Sequence, residues 1–233
     1  MWQQPPKELS ITAREVHVWR ANLNLPIARV NELVNILSED EEKRANRFYF
    51  EEHRKRFIVA RGTLRLILAQ YLAIAPEKFK FKYSDKGKPS LKGEQLQFNV
   101  SHAEDLALYG FTLERKIGVD VEYVRKVRDV ENIAERFFSE REAEIIKQLA
   151  PEEKITAFLH FWTGKEAYFK ATGEGISGGL DEIEIDLNSG LLRIKGDSQA
   201  ALGWCLYKII PGKDYLGTVA VEGQDLKLSF WKN

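Results

Sequence analysis

Apolar and polar residues alternate with period two through ITAREVHVWRANL, with Val16 and Val18 on one side, and this predicts a strand. The next stretch, ARVNELVNILSEDEEKRANRFYF, changes to helical spacing and breaks near Ser38, which stands where an N-cap would with Glu41 three residues on. A longer helix is predicted from about Glu51 to Leu72. FKFKYSDKGKPSL, LQFNVSH, LALYGFTL and GVDVEYV then read as strands separated by turn residues. Next the order recurs. RFFSEREAEIIKQL opens like RFYFEEHRKRF, with Arg136, Phe137 and Phe138 echoing Arg47, Phe48 and Tyr49, and an aromatic-rich helix follows. The strands LDEIEIDL, LLRIKG, GWCLYKII, YLGTVAVEG and LKLSFW complete the chain. Helices followed by antiparallel strands, given twice, predict an α+β fold of two pseudo-symmetric subdomains, each with helices packed on an antiparallel sheet. The expected division is residues 1–113 and 114–233. Two such units create a cleft between them, where small ligands commonly bind.

Within GVDVEYV the alternation raises a chemical question. Val119, Val121 and Tyr123 share one face of the predicted strand, so Asp120 and Glu122 stand side by side on the other. Two adjacent carboxylates repel, and a partly buried one is costly unless something positive compensates it. An arginine or lysine would serve. So would a hard divalent cation, for which such a pair supplies half a site.

Charge and composition narrow the partners. Lysine and arginine total 35 against 35 aspartate and glutamate in 233 residues, so no overall field draws the chain to nucleic acid, and any phosphate recognition must be local. No apolar run approaches the roughly 20 residues that cross a bilayer, so no membrane span is expected. The single Cys205 cannot form an internal disulfide, and MWQQPPKELS lacks a basic region followed by an apolar core. A cytoplasmic protein is therefore expected.

FLHFWTGKEAYFKATGEG carries a second acidic element. On a helix Phe158, Trp162 and Phe169 form an apolar face, and Glu166 and Lys170 are i,i+4 neighbours at its edge. By itself that pair reads as an ordinary surface contact worth a few tenths of a kcal/mol. In combination, GVDVE, RFFSERE and WTGKEAYFKATGEG, in this order and at these separations, resemble the Sfp-type 4'-phosphopantetheinyl transferases. GKP at Gly87, Lys88 and Pro89 and NVSH from Asn99 to His102 extend the resemblance.

Such a resemblance implies a monomeric, Mg²⁺-dependent enzyme that moves the phosphopantetheine arm of coenzyme A to a serine of an apo acyl or peptidyl carrier protein, releasing 3',5'-ADP. Asp120, Glu122 and Glu166 would be the metal ligands. Glu166 would also take the serine proton, and Lys170 would neutralise phosphate or the leaving group. Lys88 and Pro89 would meet the adenosine end, while Ser101 and His102 would lie at the coenzyme A phosphates. Ser101 and His102 alternate faces, so a serine-hydrolase dyad is not expected. Where the family's surfactin-synthetase member carries two lysines for the 3'-phosphate, this chain has Glu41 and Arg44, which shifts the expected clamp to Arg44 with Arg61 or Arg56. The basic run Arg125, Lys126 and Arg128, ahead of a helix near Asp129, is the expected dock for the acidic carrier helix that the resemblance implies. Two other readings fit parts of the pattern: a metal-dependent phosphodiesterase built on the three carboxylates, and a non-catalytic coenzyme A-binding module.

Overall fold

A computed structural model describes residues 2–93, 95–175, 179–187, 189, 192–195 and 202–233. The first half runs β1 (Glu15–Asn22), α1 (Ile27–Val34), α2 (Glu39–Ala45), α3 (Glu51–Leu72), β2 (Phe81–Tyr83), β3 (Pro89–Leu91), β4 (Leu96–Ala103) and β5 (Leu106–Leu113). The second runs β6 (Ile117–Tyr123), α4 (Val130–Phe137), α5 (Glu140–Gln148), α6 (Pro151–Thr172), β7 (Ile183–Ile185), β8 (Leu192–Ile194), β9 (Trp204–Ile209), β10 (Tyr215–Glu222) and β11 (Lys227–Lys232). Among the described residues one sheet has the order β11-β1-β5-β4 and a second the order β6-β10-β9, with β2-β3 and β7-β8 as separate hairpins. The α+β class read from the periodicities is the observed one.

Strand alternation explains the layering. Ala107, Tyr109 and Phe111 of β5 pack with Ile58, Leu64 and Leu68 of α3, while Leu108 turns the other way and joins Val16 and Val18. Those residues meet Val119 and Val121 of β6 and Val219 and Val221 of β10, so the two sheets pack face to face. The far face of the second sheet carries α6, whose Thr163 hydroxyl lies 2.9 Å from that of Thr218. Burial on both sides accounts for the largely apolar strands.

The internal symmetry is clearest in buried polar groups. Ser38 and Ser139 open α2 and α5 with capping boxes closed by Glu41 and Glu142. Each glutamate is only 1% exposed and goes on to pair with a cation on the following 22-residue helix, Arg65 at 2.7 Å and Lys165 at 2.8 Å. Arg65 then donates to the carbonyls of Pro76 and Phe79, and Lys165 to those of Leu180 and Ile183. Each network ties a capped helix, a long helix and a 3-10 turn together. Removing one member would strand its partner in the core, at a cost of about 3–5 kcal/mol.

This register corrects the echo read from the sequence. Arg47–Tyr49 follows α2, whereas Arg136–Phe138 precedes α5, so the two aromatic runs occupy different places in the repeat. The equivalence runs through Ser38 and Ser139, because capping and ion pairing constrain those positions. A second departure concerns β11, which leaves the second half and pairs with β1 in parallel, from Glu15 opposite Lys227 to Arg20 opposite Lys232. Every other pairing between the described strands is antiparallel.

Candidate active site at the seam of the two sheets

Where β4 ends the first sheet, β6 ends the second. Their edges meet, and the Asn99 side-chain oxygen accepts a hydrogen bond from the Val119 backbone N–H at 2.9 Å. The NVSH resemblance implies a coenzyme A contact for Asn99; its side-chain oxygen is seen instead tying β4 to β6. Gly118, Asp120 and Glu122 face α6. A Cβ on Gly118 would lie 1.9 Å from the Ala167 carbonyl oxygen and 2.5 Å from the Ala171 nitrogen, so the glycine lets helix backbone rest on strand backbone. That approach brings Glu166 and Lys170 to Asp120 and Glu122.

Asp120 is 4% exposed. Its Oδ1 accepts from the Lys170 ammonium at 2.6 Å and from the Ser101 hydroxyl at 2.9 Å, and Lys170 stands 3.0 Å from that same hydroxyl. Its Oδ2 is buried without a partner. Burial is the main force raising the Asp120 pKa, opposed by Lys170 and Ser101. Glu122 and Glu166 are also raised, first by burial and then by the charge of Asp120, while a hydrogen bond from Trp162 partly relieves Glu122. One ammonium thus faces three mutually repelling carboxylates.

An orphaned buried oxygen in a carboxylate cluster fits a hard dication. Among the described residues no three acidic, histidine or cysteine side chains are grouped closely enough to hold an ion by themselves. A dication held here would need donors beyond these side chains, such as water or substrate phosphate oxygens.

Beside this cluster lies a hollow of about 270 Å³ lined by Gly87, Lys88, Pro89, Glu166 and Lys170. A second hollow of about 180 Å³, lined by Arg44, Phe57, Arg61 and His102, shares Pro89 and Val100 with the first. Ser101 thus points to Asp120 and His102 into the neighbouring hollow, on opposite faces of β4. Desolvation of the His102 ring, then the charges of Lys170 and Arg56, hold its pKa below the usual range. Arg61 lies over the rings of Phe81, Tyr83 and Phe57, with its Nε 3.4 Å from Glu41 and its Nη1 buried without a partner. Arg44 lies over Phe57. A held guanidinium with a spare buried donor is suited to an anion. Arg56 is engaged elsewhere, by Glu52, Glu104 and Asp105.

Lys88 lines the hollow, and its ammonium is engaged by backbone carbonyls. It donates to the carbonyls of Lys170 at 2.6 Å, Ala171 at 3.1 Å and Ile117 at 3.2 Å. Arg125, Lys126 and Arg128 are exposed on the segment leaving β6, with Arg125 3.9 Å from Glu104, and α4 begins at Val130.

The sequence matches a family model described as the 4'-phosphopantetheinyl transferase superfamily over residues 116–220, and one described as the N-terminal part of 4'-phosphopantetheinyl transferase over residues 24–110. It is 43% identical to the 4'-phosphopantetheinyl transferase HetI of Nostoc sp. over 99% of this chain and 97% of that protein. A putative 4'-phosphopantetheinyl transferase of Synechocystis sp. is 34% identical over 73% of this chain and 71% of its own length. Sfp of Bacillus subtilis is 26% identical over 77% of this chain and 80% of its own.

Proposed function

Because this chain belongs to the 4'-phosphopantetheinyl transferases, enzymes that transfer phosphopantetheine from coenzyme A to carrier proteins, we propose that the transfer takes place at the seam of the two sheets. The observation that carries this reading is the meeting of Asp120, Glu122 and Glu166, from two separate elements, around Lys170 at the end of an arginine-lined cleft.

In this reading Arg44 and Arg61 hold the 3'-phosphate of coenzyme A, with His102 and Ser101 beside the remaining phosphates and Pro89 against the adenosine. Asp120, Glu122 and Glu166 would hold Mg²⁺, which when bound offsets negative charge developing on the phosphoryl oxygens. Glu166, its pKa raised, takes the proton of the carrier serine, directly or through a water, as the serine oxygen bonds to the phosphorus bearing the pantetheine. The bond to the bridging oxygen breaks, and 3',5'-ADP leaves with the electron pair. Lys170 neutralises the phosphate or leaving group. We take the protein to act as a cytoplasmic monomer divided after Leu113, except that β11 returns to the first sheet; the location is in keeping with its free Cys205. No described helix is long and apolar enough to cross a membrane.

Incubation with coenzyme A, Mg²⁺ and apo carrier protein, followed by intact mass, tests the function. The carrier should gain one phosphopantetheine arm, and chelation of the metal should prevent the gain. Arg61→Ala tests the clamp: its KM for coenzyme A should rise about tenfold or more, as expected for a lost charge-assisted hydrogen bond, with little change for 3'-dephospho-coenzyme A. Equal losses on both substrates would place the 3'-phosphate elsewhere.

The basic segment supports a carrier dock because it leads straight from Glu122 and is exposed. Reversing Arg125 and Arg128 to glutamate should raise the carrier KM several-fold and leave the coenzyme A KM near the parent value. The parent should also lose carrier affinity as ionic strength rises, since rim charges act mainly through encounter. A double variant with parental carrier KM and salt dependence would remove this segment from the dock.

A further inference from the structure

We propose that Lys88 is a positioning residue, which seats the C-terminal end of α6 against β6 and the β2–β3 hairpin through its ammonium, and does not itself hold coenzyme A. An ammonium has three N–H donors, and here each has a carbonyl acceptor: Lys170, Ala171 and Ile117. Two of these carbonyls belong to the last turn of α6, where carbonyls lack the intrahelical partners of earlier turns and the helix presents its negative end. The third opens β6, three residues before Asp120. One nitrogen therefore joins the helix that carries Glu166 and Lys170 to the strand that carries Asp120 and Glu122.

The lysine is itself held from behind. The Ser84 hydroxyl accepts from the Lys88 N–H at 3.1 Å, the Ser84 N–H donates to the Lys88 carbonyl at 3.0 Å, and Gly87, at a φ of 80°, closes the turn with its N–H on the Ser84 carbonyl at 2.8 Å. Pro89, the next residue, lines both hollows of the cleft. The turn thus presents its proline to the cleft and its ammonium to the helix end. Burial, with a smaller contribution from Lys116, holds the Lys88 pKa down to about 8, which still leaves it charged at neutral pH. Gly118 sets how closely α6 can approach β6, and Lys88 sets where along β6 the helix end rests.

This inference rests on α6 carrying reacting side chains, so the test runs Lys88→Met beside Glu166→Gln in single-turnover assays at saturating carrier. Lys88→Met should lower the rate at saturating coenzyme A about 10- to 100-fold, the loss expected of a displacement on the order of 1 Å, with the coenzyme A affinity within about twofold of parent. Lys88→Arg restores the charge but not a donor set that converges on three carbonyls, so it should recover thermal stability more fully than rate. It is the variant to score if Lys88→Met does not fold. A loss of coenzyme A affinity equal to or greater than the loss of rate would overturn the proposal and return Lys88 to the substrate. Parental rate and affinity in a folded variant would also overturn it. Parental turnover in Glu166→Gln would instead remove the reacting residue from α6, a failure of the site reading that the Lys88 result cannot mimic.

Discussion

Glu166→Gln should yield a folded protein that transfers phosphopantetheine about a thousandfold more slowly than the parent, the scale of a lost general base. Asp120→Asn should be comparably impaired, because Asp120 is the buried centre of the cluster and the acceptor for both Lys170 and Ser101. Stability should move differently in the two. The Glu166 pKa is raised in the folded chain, so an ionised Glu166 costs stability above that raised value, and the cost disappears once pH falls below its ordinary value. Metal-free Glu166→Gln should accordingly melt at or above the parent temperature at neutral pH, with the difference closing as the solution is acidified. Asp120→Asn relieves a burial cost of the same kind, because the Asp120 pKa is raised as well, but it also gives up the ion pair with Lys170, so its gain should be smaller. Thermal melts across pH, beside single-turnover rates, check both statements. A Glu166→Gln enzyme with parental turnover at saturating coenzyme A and ordinary Mg²⁺ would sink the proposed site.

Gly118→Ala should be the most damaging single-methyl change near the site. Its Cβ would meet two backbone atoms of α6, at 1.9 and 2.5 Å, and backbone inside a buried helix cannot rotate out of the way as a side chain can. The helix must shift off the strand, with a loss of about 3 kcal/mol or more of stability. Glu166 and Lys170 move with it. Transfer should fall by about a hundredfold or more even at temperatures where the variant stays folded, since a displacement near 1 Å is enough for that. Gly87→Ala is the contrast: no neighbour lies within 4 Å of the added carbon, so its cost comes only from the positive φ of 80° and should be about 1 kcal/mol. Urea melts of the two variants test the difference. Parental stability and turnover in Gly118→Ala would contradict the close helix-to-strand packing on which the site depends.

Local periodicity and local hydrogen bonding were enough to place many elements from the sequence. The helix expected from Glu51 to Leu72 spans those residues, the Ser38–Glu41 capping box forms, and Asp120 and Glu122 share a strand face. These features depend on contacts a few residues apart, which a linear reading can follow. The motif resemblance singled out the residues that now line one seam, including Glu166 and Lys170, whose i,i+4 spacing alone would have suggested a surface pair. What the linear reading could not supply was which distant group each charge would meet. Glu41 looked like a substitution in a phosphate clamp, yet it is buried against Arg65; Arg56 looked as available as Arg61, yet three carboxylates occupy it; and nothing local to Lys88 shows that its ammonium meets a helix end 82 residues away. The return of β11 to lie parallel to β1 was equally invisible, because strand periodicity is the same whichever sheet a strand joins. The sequence by itself determined the elements and the kinds of side chain offered to the site. Tertiary structure decided how those side chains are paired, because ion pairing and burial depend on distance in space and the packing of sheets and helices sets that distance.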